Sequence, residues 1–424
     1  MAQLTDDCFA FSGPLLPVAE VERIIAERVT PVSETETVVL NAAGGRVIAG
    51  GIVAPIDLPP FDNAAVDGYA VRHADLDAKA ETRLTIGERV TAGRAAMRAL
   101  AAGSAIRIFT GAPMPEGADT VFMQEDVRAE GAVVIVPPGL KVGANRRLAG
   151  EDLRAGSIVL PAGRRLLPQD VALAAAVGLT RIEVRRRVRV AVLSTGDEIV
   201  EPGAPRPGAV LFDANRYLLA GLIERLGAQP TDLGIVPDDP EKLARAIAAA
   251  AAEHDLVLTS GGVSTGEADH VRRAVETIGR LVFWRVAIKP GRPVAMGVIP
   301  GASPGASAAF VGLPGNPAAV YVTFARVVRP LLLRLAGAEA LALMPLPVRA
   351  AFGYRKKSGR REYVRVRLRR GADGTVEAVK HAQEGAGIIT SLTETDGLVE
   401  LPEDVTTIES GATVGFLSYA ALTG

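Results

Sequence analysis

Residues 259–269 read TSGGVSTGEAD and bring three kinds of chemical group into one short run. Gly261, Gly262 and Gly266 let the backbone turn its N–H groups toward an anion. Ser260, Ser264 and Thr265 add hydroxyl donors, and Glu267 and Asp269 add carboxylates. The apolar run Leu256-Val257-Leu258 comes directly before, so a buried strand is expected to deliver this loop to a sheet edge. Donors for a phosphate or oxyanion beside carboxylates for a divalent cation point to phosphate-level chemistry.

Other apolar runs end in similar polar turns. Ser194-Thr195-Gly196-Asp197-Glu198 follows one strand, and Pro237-Asp238-Asp239-Pro240 follows another and opens a helix that one aspartate could simply cap. Lys289-Pro290-Gly291-Arg292-Pro293 precedes a strand. Gly312-Leu313-Pro314-Gly315-Asn316-Pro317 ends one, with Pro317 suited to the first position of a helix whose N-terminus favours an anion. Singly, each turn has an ordinary structural explanation. Together they set Glu198, Asp238, Asp269, Lys289 and Arg292 on one edge. Two unit charges 4 Å apart interact by ~4 kcal/mol at an effective dielectric near 20. A dianion therefore needs either Mg²⁺ among the carboxylates or Lys289 and Arg292 holding it apart from them. Earlier in the chain, PPFDNAAVDGYA at 59–70 carries Asp62 and Asp67, and TGAPMP at 110–115 and Gly150-Glu151-Asp152 are further polar turns. For Asp62 or Asp67 alone, turn stabilisation is the default.

These loops need a scaffold. Helical spacing is expected at 18–29, and 59–136 has the texture of short strands broken by Gly and Pro. The stretch 168–178 reads as a glycine-closed helix. The N-terminal helix and 153–187 would then form one discontinuous unit around a β-rich insertion. From 188 onward strands at 188–193, 231–236, 255–259, 294–298 and 309–312 alternate with helices at 215–226, 240–253, 269–278 and 316–335. That alternation predicts a parallel sheet covered on both faces, with ligands at the strands' carboxyl ends. Beyond 345 the chain turns β again. Val364, Val366 and Leu368 alternate with Arg365, Arg367 and Arg369, which reads as a strand with a solvated arginine face.

Composition narrows the class. Of 424 residues 48% are hydrophobic, enough for about two to four packed domains. Lys+Arg 47 against Asp+Glu 48 gives no global field for nucleic acid or an acidic membrane. Cys8 is the one cysteine, which excludes an internal disulfide and a cysteine zinc site and suits a reducing compartment. The apolar segment 320–335 is broken by Arg326, Arg329 and Arg334, so no membrane span is expected. Asp6 and Asp7 replace the basic start of a signal peptide, and the expected setting is cytoplasmic.

In order and spacing, PPFDNAAVDGYAVR, TGAPMPEGAD, GEDLRAG, STGDE, DDP, SGGVSTGEAD, FWRVAIKPGRP and GLPGNP resemble the molybdopterin molybdenumtransferase family, enzymes that insert molybdenum into molybdopterin. The resemblance implies a multidomain α/β chain: a discontinuous linker domain at 1–52 and 153–187, an inserted β-rich domain at 53–152, a doubly wound molybdopterin-binding domain at 188–336 and a small C-terminal β-barrel at 337–424. It implies an elongated homodimer with a cleft between the α/β domain of one subunit and the inserted domain of the other. The substrates would be molybdate and adenylyl-molybdopterin, the cation Mg²⁺ and the products molybdenum cofactor and AMP. Molybdopterin adenylyltransferase and molybdoenzyme maturation factors are candidate partners.

By motif, Asp67, Thr110 and Asp152 would face the cleft from the inserted domain, and Glu198, Asp238, Asp269, Lys289, Pro314 and Pro317 from the α/β domain. Glu198, Asp238 and Asp269 are the candidate Mg²⁺ ligands. Ser260, Gly261, Gly262, Gly315 and Asn316 belong to the substrate loops, and Ser264, Arg292, Arg360 and Ser391 look like counterparts of residues around molybdate. Soft ligands for molybdenum would arrive as the substrate's own dithiolene sulfurs, in keeping with the lack of protein thiolates. Departures are Ala64 and Val66 for the usual Ser and Met, Arg285 for a frequent Lys, and Arg292 for the second Lys of KPGKP. A guanidinium fork meets an oxyanion differently from an ammonium, which bears on anion selectivity. The rival readings are a molybdopterin adenylyltransferase, tungstate-specific insertion and a non-catalytic scaffold.

Overall fold

A computed structural model describes residues 15–205, 208–263, 270–339 and 342–423. The helix Val18–Arg28 buries Val18, Val21, Ile24 and Ile25 along one stripe. That stripe packs largely into the core beneath the α/β sheet, with Val327, Val328 and Leu331, and the Arg326–Glu22 ion pair at 2.7 Å ties it down. Thr35–Val39 pairs antiparallel with Arg181–Arg185, and Ala43, Ile48, Leu160, Leu166, Ala174 and Ile182 form one small core from both sides of the insertion. The insertion is a six-stranded sheet centred on Gly68–Val71, Ser104–Ile108 and Thr82–Val90.

The α/β sheet runs in the order Gln229–Val236, Arg189–Thr195, Leu256–Ser260, Ser307–Leu313, Pro293–Pro300, Arg280–Arg285. Its central strands are near-continuous apolar runs because helices cover both faces. The expected all-parallel sheet needs correction. Four strands pair in parallel, but Pro293–Pro300 runs against them and pairs antiparallel with Ser307–Leu313 on one side and Arg280–Arg285 on the other. The connection 301–306 is far too short for a parallel crossover of about a dozen residues, so a hairpin is forced. The strand Arg280–Arg285 was also missing from the sequence reading.

The helix expected at 316–335 runs as Pro317–Thr323, a π turn Phe324–Val328 and Arg329–Leu335. Pro330 has no N–H for the Arg326 carbonyl, and a regular helix would drive its ring into that carbonyl. One wider turn accommodates both problems.

In the C-terminal region Arg361–Arg370, Val376–Lys380, Leu346–Ala350, Thr413–Ser418 and Gly397–Leu401 close into a five-stranded barrel, since the first pairs with the last. Ile288–Lys289 of the α/β domain adds to it, with Lys289 opposite Glu362. That junction corrects the solvated-stripe reading at one of its three arginines. Arg367 and Arg369 are exposed, but Arg365 is only 5% exposed, because this part of the strand is covered where the barrel meets the α/β domain. Among the described residues no helix is long and apolar enough to cross a membrane.

One buried cation holds the start of the helix Asn215–Arg225. Arg216, 3% exposed, donates to Asp213 at 2.7 Å, Glu201 at 2.6 Å and Asp232 at 2.5 Å. Asp213 is itself buried and accepts the Asn215 N–H at 2.9 Å. Arg216→Leu strands that carboxylate, so urea denaturation should show a loss of about 3 kcal/mol or more. A loss below about 1 kcal/mol would mean that the network relaxes freely.

Candidate active site between the α/β domain and the barrel

The fully buried strand Leu256–Ser260 delivers the first loop to the sheet edge as expected. Gly261 and Gly262 have φ of 88° and 67°. A Cβ on Gly261 would sit 2.3 Å from the Thr195 carbonyl oxygen, and one on Gly262 2.5 Å from Val271 Cγ2. Both positions therefore need glycine for conformation and for close approach. Gly261→Ala should cost upward of ~2 kcal/mol on chemical denaturation, since the obstacle is backbone. A midpoint equal to the wild type's would remove this argument.

Two of the donors expected on this loop, Ser260 and the Gly261 N–H, are already engaged. The Gly261 N–H bonds the Leu313 carbonyl at 3.1 Å. Ser260 Oγ is buried, accepts from Asn215 Nδ2 at 2.8 Å and lies 3.4 Å from the Pro314 carbonyl. Asn215 Nδ2 also reaches the Gly315 carbonyl at 2.7 Å. Asn215 thus laces the two glycine loops together, a role that no local motif announces. Ser264 and Asp269 lie outside the described residues.

On the acidic side, Asp239 caps its helix by accepting the Lys242 N–H at 2.9 Å, which leaves Asp238 free for other work. Asp238 is half-buried, and burial pushes its carboxyl up, with the charges of Asp197 and Glu198 adding to the shift and His270 opposing it. Glu198 is exposed. These are hard oxygen donors that repel one another, the chemistry a small divalent cation relieves. Among the described residues, however, no three such groups converge tightly enough to form a metal cluster.

The basic side is a cavity of about 250 Å³ between the Lys289–Pro293 turn, the Pro314–Asn316 turn and the barrel. Lys289 Nζ donates to Glu362 Oε2 at 3.1 Å and to Tyr354 Oη at 3.2 Å, and Tyr354 donates to the same Oε2 at 2.9 Å. Arg360 Nε takes the other oxygen at 2.7 Å. Burial pulls the Lys289 ammonium down, but the hydrogen bonds to Tyr354 and Glu362 outweigh it and the net shift is upward. For Glu362 burial raises the carboxyl, and the donors Tyr354, Lys289 and Arg360 bring it below its usual range. Arg365 also lines the cavity. Its guanidinium donates to the Gln383 and Gly385 carbonyls at 3.3 and 3.1 Å, while its buried Nε has no partner among the described residues. Arg292 is exposed nearby on the same turn.

Lys289, Pro314 and Asn316 line this cavity, and Arg360 reaches it through Glu362. Pro317 starts the helix beside it, and the next N–H, from Ala318, bonds the barrel's Ala386 carbonyl at 3.0 Å. Ser391 is not at the cavity wall. It is fully buried and donates to the Ile388 carbonyl within its own turn. On the inserted domain, Asp67 accepts from Thr110 N at 2.8 Å and Oγ1 at 2.7 Å, which holds its carboxyl low. Asp62 is structural, accepting from Arg146 at 3.0 Å and the Ala149 N–H at 2.7 Å. Asp152 is exposed. Among the described residues, no hydrogen bond or ion pair links Asp67, Thr110 or Asp152 to the cavity side of the chain.

Three family models match the chain: "MoeA N-terminal region (domain I and II)" at 16–178, "Probable molybdopterin binding domain" at 191–334 and "MoeA C-terminal region (domain IV)" at 347–419. The molybdopterin molybdenumtransferase of Haemophilus influenzae is 36% identical over 92% of this chain and 96% of its own length. That of Nostoc is 38% identical over 90% and 88%. The chain belongs to the molybdopterin molybdenumtransferase family. A crystal structure titled as the molybdopterin biosynthesis moeA protein of Pyrococcus horikoshii OT3 superposes with a TM-score of 0.78 at 31% identity, covering 96% of this chain and 100% of that one. Molybdenumtransferase relatives carry a transferase's name, and the shared architecture extends through the C-terminal barrel that helps to build the cavity.

Proposed function

We propose that the chain inserts molybdenum from molybdate into adenylylated molybdopterin and releases AMP. What supports this above all is the cavity where Lys289, Arg365 and, through Glu362, Arg360 bring more positive than negative charge to one wall. An oxyanion of tetrahedral size would take hydrogen bonds there from Lys289, with Arg292 on the same turn covering its outer side. Ser264 is a further candidate donor. The Pro314–Pro317 turn, braced from behind by Asn215, would fix the substrate's phosphate end at the start of the helix. Bound among Glu198, Asp238 and Asp269, Mg²⁺ would neutralise the phosphoanhydride. A molybdate oxygen attacking the molybdopterin-side phosphorus would form the new P–O bond as the bond to AMP breaks, and that step depends on positioning and charge compensation by this chain's own groups.

The second copy of the chain enters because, among the described residues, no hydrogen bond or ion pair joins Asp67, Thr110 or Asp152 to the cavity side of their own chain. We place them opposite the α/β domain of a partner subunit in a homodimer, where the Thr110-anchored carboxylate completes the cleft. The test is AMP release from adenylylated molybdopterin, followed with and without molybdate and Mg²⁺. AMP formation that requires both supports the reading. Formation of adenylyl-molybdopterin and pyrophosphate from ATP and molybdopterin would instead make the chain an adenylyltransferase.

A further inference from the structure

Glu362 is a carboxylate on which two cations, Lys289 and Arg360, converge, and it is only 1% exposed. Its Oε2 takes Lys289 and Tyr354, and its Oε1 takes Arg360. Lys289, by contrast, keeps 44% of its side chain in contact with solvent and so could swing away if nothing held it. What holds it is geometry set by the backbone. Residues Ile288 and Lys289 pair in parallel with Arg361 and Glu362, which places Lys289 and Glu362 side by side across the domain junction. The Tyr354 ring then fills the space beneath, with Lys289 Nζ 5.7 Å from its centroid and Lys380 Nζ 5.6 Å. An ammonium already held against a buried carboxylate has less freedom left to lose when an anion binds than one on a bare surface.

We propose that Glu362 is a positioning residue for the oxyanion site: it fixes where the Lys289 ammonium stands and sets how much net positive charge the cavity presents. This rests on the functional reading above and deepens it. Two cations share one carboxylate, so a single positive charge remains over for the incoming anion, to which the carbonyl-bonded Arg365 adds. The other titratable groups around the cavity are His381, which pairs with Glu394, and Glu384, which pairs with Lys380. Tyr363, whose hydroxyl bonds Glu400, is buried and pushed well up by that burial. None of them touches Lys289. Among the described residues its two hydrogen-bond acceptors are Tyr354 and Glu362, and of these Glu362 carries the countercharge.

The sign of the pH effect follows. Lys289 is raised on balance, so its charged form is favoured and is given up only as pH rises through the lysine range. Glu362→Gln removes the countercharge and leaves burial, which acts downward. It also replaces one of two acceptor oxygens with a donor, so one of Lys289 and Arg360 must let go. The experiment compares wild type, Glu362→Gln and Glu362→Asp in molybdenum insertion with molybdate titrated at several pH values, alongside calorimetry with molybdate alone. For Glu362→Gln the expected result is a kcat lower by about tenfold, a half-saturating molybdate concentration within about threefold of wild type, and an alkaline loss of rate that begins about one pH unit earlier. Glu362→Asp keeps the charge on a shorter stem, so it should hold the alkaline limb in place while kcat still falls by about fivefold.

A purely structural carboxylate would lower the unfolding midpoint and leave the alkaline limb unmoved, which would overturn the proposal. If Glu362→Gln fails to fold, Glu362→Asp decides alone, and wild-type kcat in that variant would equally overturn it. If the wild type binds no molybdate and Lys289→Ala turns over normally, the functional reading itself has failed and takes this inference with it. If the wild type binds molybdate and Lys289→Ala is impaired while the Glu362 variants behave as wild type, only the present inference is lost.

Discussion

Lys289→Ala is expected to lower kcat/KM for molybdate by on the order of 10²–10³, the usual consequence of removing one positioned donor from a developing or bound oxyanion. The fold should survive. Glu362 keeps its hydrogen bonds from Tyr354 at 2.9 Å and Arg360 at 2.7 Å, so no bare carboxylate is left in the interior. Lys289→Arg retains the charge but should rescue little. A planar fork cannot occupy the slot between the Tyr354 hydroxyl and Glu362 Oε2 as a compact ammonium does. The check is steady-state kinetics of AMP release with molybdate varied. Turnover of Lys289→Ala within about threefold of wild type would remove Lys289 from the site, since that corresponds to only ~0.65 kcal/mol.

The second large effect is expected at Asp67. Asp67→Asn is isosteric, and its amide oxygen can still accept the Thr110 N–H and hydroxyl, so the turn should persist. Only the negative charge is lost. Turnover should drop by about a hundredfold with the unfolding midpoint unchanged, because the residue is only partly buried in the inserted domain and its proposed place is in the cleft. An equal loss of stability and activity would mean that the carboxylate is a turn-former and nothing more.

How much of this was legible in the sequence can be traced residue by residue. The strand-end loops were, because α/β sheets carry their ligand groups at the strands' carboxyl ends and glycine at 261 and 262 marks where two backbones touch. The family and its C-terminal barrel were legible through long matched motifs. What the sequence hid were contacts across the domain junction. Arg365 sits in a clean period-two pattern, and one strand's periodicity reports two faces without saying that a second domain covers the outer one. Glu362 lies in the same strand, and its pairing with Lys289 comes from a register between segments 73 residues apart. Two of the loop's donors were engaged for a related reason. Ser260 and the Gly261 N–H looked free as residue types, yet a buried strand end must satisfy its polar groups, and Asn215 and Leu313 do so. Ser391, carried over by motif, faces its own turn at Ile388.

Co-expression of Asp67→Asn with Lys289→Ala tests the central claim most directly, because the claim is that one cleft is built from two chains. In a mixed dimer one cleft receives both defects and the other receives neither. Random pairing makes half the dimers mixed, so the mixture should recover about a quarter of wild-type AMP release, although each variant alone is nearly inactive. A mixture no more active than its parents would contradict the shared cleft and put both residues in separate roles on a single chain.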